Sequence, residues 1–230
     1  MKIRAGIKLA MMVAVFIFAS TQASAVTVGF EAISNNAGNS GAFEAQLSVD
    51  ITDGGGGTVD FEFINGAGGL ASFIADVYWD DDVPLFVECI ACTGSMVTAA
   101  GWTQPASPSD LPGAGGAGFV TGDLSADADP PPAGNGFHPG ESGTFTLTLL
   151  NTGTANDSFA DVLAAIADGS LRLGIHLQGM NATDQFDGES DGFVTTPPDD
   201  EIPVPEPATM TLMGLGLAGV AMSRRRKVRP

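Results

Sequence analysis

The stretch Thr58-Val59-Asp60-Phe61-Glu62-Phe63 decides the fold class. Successive side chains of an extended chain point to opposite faces, so Val59, Phe61 and Phe63 line one face and the polar residues the other. Runs of the same period recur outward from it, between Gly, Asn and Asp turns, at residues 26–33, 42–51, 73–79, 85–89, 143–150 and 171–177. Strand-like runs at this spacing predict an all-β domain, an antiparallel β-sandwich spanning residues 26–194. That length is enough for one domain with a real core.

One short helix interrupts the pattern. Asp157 or Ser158 can cap it, Phe159, Val162, Leu163 and Ile166 fall at i, i+3, i+4 and i+7, and Gly169 is placed to end it. Residues 103–140, with Pro105, Pro108, Pro112 and Pro130-Pro131-Pro132 among many Gly and Ala, read as a long irregular excursion holding one strand near 118–121. Residues 195–203 are Pro and acid, a solvated spacer.

The two ends carry a different message. Residues 1–25 contain Lys2, Arg4 and Lys8, an apolar run over 9–19, and then Ala23-Ser24-Ala25. This is the three-part pattern of a secretory signal peptide, a short signal helix with cleavage expected before Val26. Residues 204–230 begin with Pro205-Glu206-Pro207, continue through 15 uncharged, mostly apolar residues from Ala208 to Met222, and end in Arg224, Arg225, Arg226, Lys227 and Arg229. A hydrophobic helix of that length rises about 22 Å against a hydrocarbon core of about 30 Å, so it is a poor permanent anchor. The basic end favours the cytoplasmic side and leaves everything before Pro205 outside.

That order of parts resembles the PEP-CTERM sorting signal of Gram-negative bacteria. The resemblance implies that Pro205, Glu206 and Pro207 form the sorting motif, that Arg224, Arg225 and Arg226 form the basic tail, and that a membrane protease of the exosortase family is a partner. It implies contact with the membrane only before processing, and delivery to the cell surface or extracellular matrix. An ordinary C-terminal membrane tail is the alternative reading. The sandwich itself is similar to cohesin-like and jelly-roll domains of secreted bacterial proteins. That likeness lies in the way residues 58–82 run from a strand ending at Asn65, through a Gly-rich turn, to Ile74-Ala75-Asp76-Val77-Tyr78-Trp79-Asp80. It brings no catalytic residues with it.

Charge bounds the partners. Three of the nine Lys and Arg residues lie in the signal peptide and five in the tail, leaving Arg172 alone beside all 27 Asp and Glu residues, a formal charge of −26 for residues 26–223. Nucleic acid and anionic membrane are poor partners for such a surface. Cations and neutral polymers remain.

Among candidate sites, Cys89 and Cys92 are the only cysteines, spaced C-x-x-C. Outside the cytoplasm such a pair closes a small disulfide loop; the competing readings are a zinc site, which would need His138 and His176, and a thioredoxin-type redox pair. Gly188-Glu189-Ser190-Asp191-Gly192 matches G-x-S-x-G, but no His follows Ser190 and two carboxylates flank it, against a nucleophile elbow. His138 reads as surface and His176 as core. Three acidic clusters stand out: Asp80, Asp81 and Asp82; Asp123, Asp127 and Asp129; and a loop with Asn181, Asp184, Asp187, Glu189 and Asp191. Asp184, Asp187, Glu189 and Asp191 are the candidate ligands for structural calcium, which takes six to eight oxygens, although their spacing departs from the EF-hand pattern. A merely solvated acidic face is the competing reading.

Three function classes follow. The first is a structural or adhesive component of the cell surface or its exopolysaccharide matrix. The second is a carbohydrate-binding module with Tyr78, Trp79 and Trp102 as stacking surfaces, and the third a polysaccharide hydrolase using paired carboxylates. The first is the expectation, with no catalytic residue and no cofactor beyond calcium.

Overall fold

β3 (Thr58–Asn65) carries the alternation into space: Val59, Phe61 and Phe63 are fully buried, and Asp60 and Glu62 lie on the outer face. The computed structural model describes residues 25–81, 84–87, 96–122, 124–150, 158–181 and 188–196. Within them β3 is joined by β1 (Ala25–Ala32), β2 (Leu47–Gly55), β4 (Ala71–Asp81), β5 (Met96–Val97), β6 (Trp102–Thr103), β7 (Ser125–Ala128), β8 (Glu141–Thr148), β9 (Leu171–Asn181) and β10 (Glu189–Thr195). Two one-turn helices, α1 (Ala114–Ala117) and α2 (Pro132–Asn135), and the longer α3 (Phe159–Asp168) complete it.

All strand pairs are antiparallel, in the order β5-β8-β3-β2-β1-β10-β9-β4-β7-β6. β1 is shared between two halves: Ala25 to Gly29 pair with β2, and Phe30 to Ala32 pair with β10. The sheet curls so that the halves face one another. Trp79 of β4 meets Phe61 and Phe63 of β3 and Phe145 of β8 edge-on, with ring centroids 5.6 to 5.9 Å apart. These offset geometries suit ring quadrupoles and add to the area that the rings bury.

β4 breaks the alternation because it is covered on both faces. Its inner face packs into the aromatic core, while Tyr78 on its outer face lies in a second apolar cluster with Ala106, Leu111, Ala114, Phe119 and Val194. The Pro- and Gly-rich segment 104–121 is therefore a cover over β4, β9 and β10. Two strand glycines make room for it. A Cβ at Gly192 would sit 2.0 Å from the Pro112 carbonyl oxygen, and one at Gly174 would sit 2.7 Å from Leu111 Cδ2.

α3 forms as its sequence predicts. The Ser158 amide donates to Asp161 Oδ2 at 3.0 Å, the Asp161 amide points back at Ser158 Oγ, and Gly169 ends the helix at φ 79°. This reciprocal cap satisfies two orphan donors of the first turn. Val162, Leu163, Ala165 and Ile166 are buried on one side.

Three expectations are corrected. The strand expected near 118–121 lies instead at Ser125–Ala128, because 114–117 turn into α1 and the chain meets the β4 backbone at Gly122 and Leu124 before the ladder of β7 begins. The run at 42–51 starts as two short 3-10 turns, Ser40–Ala42 and Glu44–Gln46, and becomes a strand only at Leu47. The acidic loop expected through Glu189 and Asp191 is β10, in the middle of the sheet between β1 and β9. The signal helix and the C-terminal hydrophobic helix fall outside the described residues. Among the described residues no helix is long and apolar enough to cross a membrane.

Candidate functional site

The outer face of β4, β9 and β7, partly under the cover, brings together the buried polar side chains Asp76, Asp80, Ser125 and His176. A register shift between Ile74 and Asp76 turns Asp76 outward, opposite His176 on β9 and Asp127 on β7. Asp76 Oδ2 lies 2.6 Å from His176 Nδ1, and both residues are more than nine-tenths buried. Gln178 Nε2 approaches the same ring nitrogen at 3.3 Å. Burial, followed by the neighbouring Asp76 carboxylate, pushes the Asp127 carboxyl above its usual range. Tyr78 donates its hydroxyl to the Pro108 carbonyl at 3.0 Å. Burial and the charges of Asp76, Asp127 and Asp110 push its phenol upward. The group is thus a set of acids and one imidazole held rigidly by strands, with Tyr78 tying it to the cover.

Next to it on the same face, Arg172 pairs with Asp80, donates to the Ala117 carbonyl at 3.2 Å and to that of Gly118, and stacks 5.4 Å from the Phe119 ring centre. One cation thereby satisfies a buried carboxylate and pins the end of the cover. A shallow cleft of about 480 Å³ opens beside it, lined by Asp110, Leu111, Gly113 to Gly116, Phe119, Val120 and Thr121.

Among the described residues Asp191 is the carboxylate with the most hydrogen bonds. It is completely buried, and its oxygens accept hydrogen bonds from Ser34 Oγ at 2.6 Å, the Asn36 amide at 2.7 Å, the Ala37 amide at 3.1 Å and Ser40 Oγ at 2.6 Å. Burial alone would raise its carboxyl, but these donors outweigh it and hold the group below the usual carboxylate range. The four donors wrap the segment 34–40 around it. Asp191 is therefore a structural acceptor, and Glu189, two residues earlier in β10 and across a register shift, stays exposed.

The other predicted residues are placed as follows. Asp184 and Asp187 lie outside the described residues, as do Cys89, Cys92, Pro205, Glu206, Pro207, Arg224, Arg225 and Arg226. Asp80 is paired with Arg172, and Asp81 Oδ2 accepts from the Leu85 amide at 2.9 Å; Asp82 and Asp123 lie outside the described residues. Tyr78 and Trp79 are fully buried and Trp102 is 4 % exposed, its indole nitrogen donating to the Asn135 carbonyl at 3.0 Å. None of these three rings offers a face for stacking on a sugar. Gly188 to Gly192 form a strand entry with no helix after it, unlike a nucleophile elbow. His138, expected at the surface, is half-buried with its ring 5.5 Å from that of Phe73, and His176 is core as expected. Among the described residues no three His, Cys, Asp or Glu side chains gather as a metal would need.

Sequence reasoning missed the Asp76–His176 pair and the Ser34–Asp191–Ser40 arrangement. The first had a visible trace, a single charge inside the apolar run Phe73-Ile74-Ala75-Asp76-Val77-Tyr78-Trp79. The second had none, since its donors lie more than 150 residues away in the chain.

Comparison with known proteins adds one match. Residues 203–227 fit the family described as the PEP-CTERM protein-sorting motif. A motif of this kind marks an exported, exosortase-processed protein of Gram-negative bacteria. No curated protein and no solved structure matches the chain.

Proposed function

We propose that this exported chain is processed near Pro205-Glu206-Pro207 by an exosortase-type membrane protease and delivered as a structural or adhesive component of the cell surface or its exopolysaccharide matrix. The sorting motif at 203–227 carries this reading. Its setting supports it: the motif follows the curled sheet, read here as a cohesin-like or jelly-roll sandwich, after a spacer of Pro and acid. The burial of Tyr78, Trp79 and Trp102 takes away the aromatic platform on which a carbohydrate-binding module would depend. We read the domain as a scaffold and not a catalyst. The polar group around Asp76 serves as a strand-to-cover tie, since Asp76 bonds to His176 across the strands and Tyr78 bonds to the cover.

The test is intact-mass analysis of protein extracted from the cell surface, together with deletion of the gene. A mature form starting near Val26 and ending near the Pro205-Glu206-Pro207 motif, and a matrix that loses cohesion on deletion, are the expected results. Arg224 to Arg226 retained in the surface form would sink the sorting half; unchanged cohesion would sink the matrix half. On the same material, thiol labelling before and after denaturation should find Cys89 and Cys92 oxidised to each other.

A further inference from the structure

The position of β10 sets an order of events. β10 is the last described strand in the chain, yet it sits in the middle of the sheet, pairing with β1 through Phe30, Glu31 and Ala32 and with β9 through six register positions. Without it the ladder splits between β1 and β9, and the two halves of the sheet lose their hydrogen-bonded join. Phe193 is fully buried in the common core, and Asp191 organises the segment 34–40. The fold therefore closes only when Glu189–Thr195 is free to dock. The apolar stretch of the sorting segment begins at Ala208, thirteen residues after Thr195, a reach of at most about 45 Å when extended.

We propose that β10 is the closing strand of the domain, and that the domain shuts while the sorting segment is still in the membrane, so that the protease acts on a folded substrate. This rests on the export reading above, in which the chain emerges from its N-terminus and β10 follows every other strand. The thirteen-residue spacing is long enough for β10 to clear the bilayer surface and dock, and short enough to keep the folded sheet near that surface. Local closure by a central strand makes opening of the whole domain, rather than fraying of an edge, the route by which a protease reaches it.

The experiment uses the full chain, in membranes of cells that lack the processing protease, with a soluble protease added at the outer face. A protected core running through Thr195 is expected in the unprocessed chain. Phe193→Asp should abolish protection. Deleting residues 197–207, which these cells do not need for processing, leaves about 7 Å of reach between Thr195 and the apolar stretch and holds β10 at the membrane, so digestion should speed up about tenfold or more. The same deletion chain should regain protection once detergent releases it, which separates a positional effect from a failure to fold. Two results would overturn the proposal: a core digested in the unprocessed wild-type chain, or protection indifferent to the deletion. If Arg224 to Arg226 are retained in protease-competent cells, the sorting reading fails by itself, while the protection assay on the unprocessed chain still decides this one.

Discussion

Ser40 Oγ donates to Asp191 Oδ2 at 2.6 Å across 151 residues of chain, joining the turn after β1 to the strand that closes the sheet. The bond is one of four on that carboxylate, so the pairing of β1 with β10 is locked by a charge that, among the described residues, is paired with no cation and is satisfied by dipoles.

Asp191→Asn replaces an acceptor-only group by one that turns two donors toward donors, and should cost about 2–3 kcal/mol. Because the folded carboxyl is held below its unfolded value near 4, its contribution is present above that value and is lost as pH falls through the lower folded value. Urea denaturation at pH 7 and pH 3 checks this: the wild type should lose more stability between the two than the variant does. Equal losses would refute the assignment.

Gly192→Ala drives a methyl group into the Pro112 carbonyl, 2.0 Å from the ideal Cβ position. The contact is backbone, with no flexible tip to yield. The expected outcome is a displaced cover, read as faster proteolytic nicking within residues 104–121 than in the wild type. Gly29→Ala, with nothing within 4 Å of its Cβ position, serves as the control and should leave the nicking rate unchanged.

Arg172→Met leaves the buried Asp80 without its cation and frees the carbonyls of Ala117 and Gly118. Breaking such a pair from one side costs about 3 kcal/mol when both partners are buried, and less here because the Arg172 side chain is 23 % exposed. Pairing it with Asp80→Leu should recover part of the loss, as a double-mutant cycle in chemical denaturation will show.

Trp79 and Trp102 are both buried, so fluorescence should report a blue-shifted, poorly quenched spectrum. Adding soluble oligosaccharides should leave the spectrum unchanged. A saturable quench would reinstate the carbohydrate-binding reading.

With 27 carboxylates against Arg172 in the exported segment, sodium chloride should raise the melting temperature by screening self-repulsion. A structural calcium held by Asp184, Asp187 and Glu189 would add a saturable stabilisation of about 2.7 kcal/mol at 100 times its dissociation constant. Asp187→Asn should remove that calcium-specific part. Asp191→Asn should leave it in place, because the Asp191 oxygens are already occupied by Ser34, Asn36, Ala37 and Ser40.

The sequence by itself determined whatever depends on neighbours in the chain. Alternation over 58–63 made β3 legible because strand periodicity is a local property, and Ser158, Asp161 and Gly169 made α3 legible because a cap needs partners only three residues away. The sorting signal was legible for the same reason: motif, apolar run and basic cluster are contiguous. Tertiary structure decided the rest. Gly188-Glu189-Ser190-Asp191-Gly192 has the composition of a loop, and residues of that kind are depleted in strands. It is a central strand because its ladder partners come from β1 and β9, and because a carboxylate that would be costly to bury alone finds four donors brought from residues 34–40. Asp76 and His176, 100 residues apart, became a pair in the same way. Buried polar groups are stable only where the fold supplies their partners, and those partners are chosen by strand pairing across the whole chain.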